Sequence, residues 1–514
     1  MTVKNALGRS VPLKIFGKTY KPFQGAFATP PRERRYGRKY HNYVTKFTTK
    51  KVYDSLEKVI EASGLKDGMT IGFHHCLRLG DEVINQVVHT IASMGIKNIT
   101  LASTALFQNH EPLIEHILDG TISCIEGSMN GPIGNAVCTS ELEIPTFLRS
   151  HGGRTRAVEA GDLHIDVSFI ATSAVDQLGN LSGVIGPNAF GSMGFVKETD
   201  ALYADVCIAV SDFVSEKPLV PVSVFGGLID YIVTVDRIGD PKKITTGSLG
   251  RKARPEHMKI AEEVVDIVKN AGSLKEGFSF QAGAGGVSLA VTQYLEEVMQ
   301  DLDIKGSFIH GGATASAVKL LEKDLFEVIY DGQTFDTQAA RSLRENPRHI
   351  ESSASFSYNI YSPGGPLANY VDVVVLGATE VDIDFNVNVN TFSNGMLMNG
   401  IGGHTDAAAA KMTIITCPVA RKVPTIIDKV TTVSTPGEMI DIVATDHGIA
   451  VNPRRTELRE KLEKAGLPVR DIKELRDEAY SLAAPIEITS RDRITTVVEF
   501  RDGTILDVIY QVKD

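Results

Sequence analysis

Short apolar runs alternate with longer segments whose apolar positions recur every three or four residues. "MTIGFHH" (69–75), "NITLAST" (98–104), "IDVSFIATS" (165–173) and "DVCIAVSDF" (205–213) read as strands. Between them, "DEVINQVVHTIASMG" (81–95) and the stretch around "EPLIEHILDG" (111–120) read as helices. Such alternation predicts parallel βαβ units with helices on both faces of a sheet. It restarts after the polar, turn-rich stretch "GDPKKITTGSLGRKARPEH" (239–257), which is expected to be a domain junction. Beyond it come a helix at "HMKIAEEVVDIVKNAG", a strand entering a glycine loop at "GFSFQAGAGG", and a helix with Val287, Val291, Leu295 and Val298 along one side. Further strands are expected at "KGSFIHGG", "LFEVIYDG", "YVDVVVLGA" and "KMTIITCP". The closing "RRTELREKLEKAGLPVRDIKELRDEAY" reads as two charged surface helices.

The expected fold class is therefore α/β, with two tandem open, mostly parallel domains. An N-terminal arm is placed at 1–45, a first domain at 46–245 and a second at 246–514. Length agrees, because 514 residues exceed what one hydrophobic core supports.

Charge narrows the choice of ligand. Lys and Arg number 53 against 63 Asp and Glu, a net charge of −10, and no long basic run appears. This argues against nucleic acid or an anionic membrane as the partner. No apolar run reaches the ~18 residues of a membrane span, and the N-terminal twenty residues lack the unbroken apolar core of a signal peptide. The five cysteines are scattered, without a C-x-x-C pair, so neither a disulfide framework nor a zinc site is indicated and a cytoplasmic setting is expected. His74, His75 and His404 show no metal-ligand spacing with nearby acids, and no metal is expected.

Candidate chemistry gathers in two glycine loops. In "FQAGAGGVSLAV", Gly283, Gly285 and Gly286 join a strand to a helix, where the backbone can approach a ligand and unpaired amides face an anion or oxyanion. No Lys-Ser/Thr follows, so this is not a Walker A loop. In "NGMLMNGIGGHTDAAAAKMTIITCP", Gly400, Gly402 and Gly403 precede Asp406, which suits the first turn of a helix. The two loops are expected to converge at the carboxyl edge of one sheet, where open α/β folds bind ligands.

The series "FQAGAGGVSLAV", "GATEVDIDFNVNVN", "MNGIGGHTDAAAA" and "IVATDHGIAVNP" resembles the coenzyme A transferase and acetyl-CoA hydrolase superfamily. With "HHCLRLGDEVINQVV", "GSMNGPIGNAV", "GGRTRAVEAGDLHIDVSFIATSAVDQLGNLSG" and "GPNAFGSMG" ahead of it, nearly the whole chain resembles the citrate lyase alpha-chain family. The resemblance implies two coenzyme A transferase-type domains. It further implies an oligomeric complex with a citryl lyase beta chain and an acyl carrier gamma chain. No covalently bound cofactor is implied; the substrate is a thioester on the carrier's modified dephospho-coenzyme A group, whose acetyl is exchanged for citryl with release of acetate.

Superfamily branches with a covalent intermediate place a nucleophilic Glu on the strand after the first glycine loop. Here that strand ends in "FIHGG", and no acid lies between Ile304 and Lys319. The expected route is therefore direct attack by a citrate carboxylate through an acetyl-citryl anhydride. By resemblance the amides of Ala284 and Gly403 are the oxyanion candidates, and Gly283, Gly285, Gly286, Asn399, Gly400 and Gly402 line the thioester-binding loops. Citrate needs cations, and Arg154, Arg156 and Arg348 lie in loop-like surroundings; His310 at the strand tip is a further candidate contact. Surface solvation for each Arg, and a structural role for His310, are the alternatives. Glu380 is the rival catalytic acid unless it serves only a buried partner.

Overall fold

Among the residues that the computed structural model describes (2–28, 49–139, 142–195, 197, 199–245, 254–283, 285–362, 364–486 and 490–512), two large sheets hold most of the strands. The Arg-rich stretch at 30–43, the middle of the expected junction, and Ala284 lie outside the described residues.

The first sheet has ten strands. In spatial order it runs from the hairpin Ser490–Glu499/Ile505–Val512 through Thr146–Leu148, Ile122–Glu126, Ile99–Ser103 and Thr70–Phe73 to Val167–Thr172, Val206–Ser211, Tyr231–Thr234 and Val52–Tyr53. All pairings are parallel except within the hairpin. The second sheet has nine strands. It runs from His349–Glu351 through Phe326–Thr334, Gly306–Ala313 and Phe280–Ala282 to Val373–Gly377, Met412–Thr416, Ile442–Thr445, Gly448–Val451 and Val469–Arg470. Only Ile442–Thr445 and Gly448–Val451 pair antiparallel.

After the edge strand Val52–Tyr53 in the first sheet, and from the outset in the second, the chain enters near the middle, winds outward, then returns to wind the other way. The reversal falls between Thr70–Phe73 and Val167–Thr172 in the first sheet and between Phe280–Ala282 and Val373–Gly377 in the second. Strands at such a position splay at their carboxyl ends and leave a crevice.

The halves also repeat in detail. Asp176 follows the reversal strand of the first half and accepts the N–H groups of Leu178 and Asn180 at 2.9 and 3.0 Å. Asp382 accepts those of Asp384 and Asn386 at 3.0 and 2.9 Å. Asn180 in turn accepts from Gly226 N–H and Asn386 from Gly437 N–H, both at 2.9 Å. One side-chain device thus holds the corresponding loops in each half.

Alternation along the strands explains the layering. On Val373–Gly377, Val373 and Val375 pack with the helices Pro255–Asn270 and Gly286–Asp301, while Val374 and Leu376 join the core that extends into the first half. Both faces of this strand are covered, which is why it reads as an unbroken apolar run. The helices Thr456–Lys464 and Ile472–Leu482 lie on the surface, burying Leu462 and then Ile472, Leu475 and Ala479. No helix among the described residues is long and apolar enough to cross a membrane.

Two boundaries need correction. Residues 490–512, placed by sequence in the second half, extend the first sheet, Thr496 to Val498 pairing with Thr146 to Leu148. Residues 2–28 of the expected arm form short hairpins on that same edge; Phe23 N–H donates to Ile505 O and Ile505 N–H to Lys21 O. Distant partners drive both placements: alternating apolar residues on the returning hairpin cover the edge strand, which local periodicity does not disclose.

Candidate active site

The strand Gly306–Ala313 ends in the tip His310-Gly311-Gly312, and each residue there is constrained by a neighbour. Gly311 has φ +107°, and a Cβ on it would come within 2.7 Å of Gln281 Nε2. A Cβ on Gly312 would lie 1.9 Å from the Phe335 ring. The place of a side chain at 312 is thus filled by an aromatic ring from the end of the neighbouring strand. His310 is turned inward, contrary to its expected contact with substrate: its Nδ1 lies 2.8 Å from Gln281 Oε1 and its ring is edge-on to Tyr358 at 5.1 Å. Burial drops its pKa to about 3, so the imidazole is neutral. Its Nδ1–H donates to Gln281, whose amide donates to Tyr358 Oη at 3.1 Å, so His310 orients two residues that do face the crevice.

That crevice is a cavity of about 270 Å³ at the second sheet's reversal point. The expected Gly283, Gly285 and Gly403 line it, with Gln281, Tyr358 and Gly377 of the second half. From the first half come His151 and Phe195. Gly286 opens the helix Gly286–Asp301, which has no side-chain cap at Gly285, so the first-turn amides retain capacity for an acceptor. Gly402 O accepts from His151 N–H at 2.9 Å, and a Cβ on Gly400 would lie 2.0 Å from Ser128 Oγ. These glycines let the second loop dock on the first half; Asn399 is exposed beside them.

The two reversal points face each other. His74 Nε2 bonds Ala171 O at 2.9 Å across the first-sheet strands, and His75 Nε2 lies 3.1 Å from Gln333 Oε1 of the second half. His75 stacks on His151 at 5.2 Å. Burial, then Arg78 and Arg154, lower the His151 pKa to about 3; burial lowers that of His404 to about 4 despite its bond to Gly377 O. The cavity wall is thus made of glycine backbone, neutral imidazoles, amides and aromatics, and among the described residues no carboxylate lines it.

Three arginines expected at the ligand are committed elsewhere. Arg154 makes a buried bidentate pair with Asp200 at 2.8 and 2.9 Å. Arg156 bridges Asp162 and Glu499. Arg348 precedes strand His349–Glu351, at the amino edge of the sheet away from the cavity, and bonds Asp324 at 2.7 Å. Glu380 is buried and occupied: Oε2 accepts from Asn388 Nδ2 and Thr431 N–H at 2.9 Å each, and Oε1 from Thr431 Oγ1 at 3.1 Å. It braces the loop at Thr431 and is not among the residues lining the crevice.

His151, Gln281, Gln333, Phe335 and Tyr358 were not singled out from sequence. Only the aromatic and amide spacing after each strand marks them, and that pattern is common. Asp406 has a larger part than capping its own helix: it accepts from Ser150 Oγ and Gly152 N–H at 2.8 Å each, clamping the helix that begins with His151.

Facing α/β sheets with a glycine-lined crevice at their reversal points define a coenzyme A transferase-like protein. The fold is shared with a malonate decarboxylase alpha subunit from Acinetobacter baumannii (TM-score 0.63, 14% identity, 86% of this chain and 95% of that one). The chain belongs to the citrate lyase alpha-subunit family, whose model matches residues 49–512. It is 44% identical over 473 residues to the citrate lyase alpha chain of Klebsiella pneumoniae, covering 90% of this chain and 92% of that one. The Escherichia coli (strain K12) citrate lyase alpha chain is also 44% identical, with the same shares covered. A crystal structure of the putative citrate lyase alpha subunit of Streptococcus mutans, in complex with citrate, superposes with TM-score 0.93 at 40% identity over 99% of this chain and 100% of that one.

Proposed function

We propose that the chain is the transferase subunit of a citrate lyase, converting acetyl-carrier and citrate into citryl-carrier and acetate. One observation carries this reading: the strand tip that would bear a nucleophilic Glu has glycine with Phe335 packed over it, in a cavity whose described lining holds no acid. The carboxylate must then come from the substrate. A citrate carboxylate oxygen attacks the acetyl carbonyl carbon, the C–S bond breaks, and the carrier thiol leaves as thiolate. The acetyl-citryl anhydride that forms is opened when this thiolate attacks the citryl carbonyl, expelling acetate. No net proton is exchanged.

The protein's share is positioning and electrostatics. First-turn amides of helix Gly286–Asp301 and the Gly403 amide donate to the oxyanion; loss of one such donor costs about 3 kcal/mol in other enzymes. Neutral His151 donates a hydrogen bond without titrating at physiological pH. The thioester arrives on a modified dephospho-coenzyme A group of a carrier gamma chain, and a beta chain cleaves the citryl product.

The test is to incubate the chain with acetyl-carrier, with and without citrate. Acetate release that needs citrate and yields citryl-carrier is expected; release with water alone marks a hydrolase. Mass spectrometry after acetyl-carrier alone should find no acyl or thioester adduct on any Asp or Glu. A stoichiometric adduct excludes the direct route.

A further inference from the structure

We infer that the Arg78 guanidinium is a carboxylate-binding site beside the crevice, against its Phe335 wall, and holds a carboxylate of the attacking polycarboxylate. This deepens the proposed function and rests on it.

Arg78 sits just beyond strand Thr70–Phe73, at the first-sheet reversal point. Its backbone is left-handed, φ +51°, which few non-glycine residues adopt and which marks a built position. Arg78 N–H donates to His75 O at 3.0 Å and Arg78 O accepts from Asp81 N–H at 3.2 Å, so the turn is held. The guanidinium carbon lies over two rings, Phe107 of the first half at 5.0 Å and Phe335 of the second at 4.9 Å. Phe335 lines the cavity, and the Arg78 charge helps depress the pKa of both His75 and His151.

Among the described residues Arg78 lacks an internal counter-ion. Arg149, Arg154 and Arg156 in the same half each face carboxylates. Arg78 has no ion pair among the described residues, and its buried Nε has no hydrogen-bond partner; Arg501 shares both features but lies over Phe500, away from this cavity, whereas Arg78 lies over the cavity-lining Phe335. Burial lowers its pKa to about 10, which still leaves it charged at neutral pH. A cation in that state is costly unless an anion completes it, and a carboxylate can do so through two parallel N–H···O bonds. The aromatic rings fix the plane of the fork before the ligand arrives. Phe335 therefore has two effects: it fills the space of a side chain at 312, and it holds the cation that receives a substrate carboxylate.

The experiment uses the full chain, with calorimetric titration of citrate and steady-state exchange with acetyl-carrier, for wild type, Arg78→Gln and Arg78→Lys. For Arg78→Gln the citrate Kd and KM are expected to rise about 100-fold, with the acetyl-carrier KM within about threefold of wild type. Arg78→Lys, keeping charge without the fork, should fall between. A citrate Kd unchanged in Arg78→Gln overturns the assignment, as does an equal rise in both KM values, the sign of a merely structural role. Failure of the wild-type chain to make citryl-carrier overturns the proposed function instead; citrate titration still reads Arg78 in that event.

Discussion

At Glu380 three donors converge on one buried carboxylate, and the residue is not among those lining the cavity. Glu380→Gln keeps an oxygen for Asn388 and Thr431 N–H and offers an N–H to the Thr431 hydroxyl. Exchange activity is thus expected to stay within a few-fold of wild type, whereas loss of a covalent nucleophile costs orders of magnitude. Glu380→Ala strands the donors and should lower stability by about 1–3 kcal/mol, read as a shift in denaturation midpoint. Gly312 makes the complementary case. Its Cβ has no room beside Phe335, so Gly312→Ala is expected to destabilise by about 1–3 kcal/mol. The double variant with Phe335→Ala should recover most of that loss, a coupling that a double-mutant cycle measures. The missing acid was legible in "FIHGG", but the ring filling its place comes from the end of the next strand. Arg78 was illegible for a similar reason: within "HHCLRLGDE" it resembles any polar residue leaving a strand, and its significance lies in partners that are absent.

Helix His151–Ala160 shows what one element contributes to the other half. Ser150 caps it by accepting from Gly153 N–H at 3.0 Å, and Asp406, 254 residues beyond Gly152, takes the Gly152 amide. Gly152 is obligatory, since a Cβ there would lie 2.6 Å from Asp406 Oδ1. Burial raises the Asp406 carboxyl to about 6, against the opposing pull of Gly152 N–H, Arg501 and Ser150. The folded state therefore binds this proton more tightly than the unfolded chain, whose value is 3.8. Stability from this group is full below pH ~4 and is lost as pH rises through 6, by at most about 3 kcal/mol. Asp406→Asn is expected to flatten that segment of the stability curve between pH 4 and 7, measured by melting at a series of pH values. Asp406 does stand in the first turn of helix His404–Ala407, as the sequence suggests, and its carboxylate additionally takes the Gly152 amide of helix His151–Ala160. Spacing along the chain cannot reveal a cap donated from the opposite half.

At the scale of the molecule, both sheets and most helices were legible because their strands are apolar on both faces and their helices keep a 3.6-residue period. The returning hairpin was not, because its alternation fits any sheet edge and only tertiary pairing selects one. Its Glu499 completes a buried network with Arg149 and Arg156, whose other partners are Glu126 and Asp162. Burial works to raise the Glu499 pKa, but Arg149 and Arg156 outweigh it and hold the carboxyl ionised and low. Removing one member of such a network leaves guanidinium charge without its counter-ion, a loss of about 3–5 kcal/mol. Glu499→Ala is therefore expected to lower the melting temperature of the whole chain, and truncation after residue 486 should uncover strand Thr146–Leu148 as a free edge and abolish a single cooperative melt. If the hairpin were only an appendage, the truncated chain would keep its midpoint and its citrate-dependent exchange. Because the same strand leads through Arg149 and Ser150 into His151, loss of the hairpin should remove activity at temperatures where secondary structure persists, a separation that parallel circular dichroism and turnover measurements resolve.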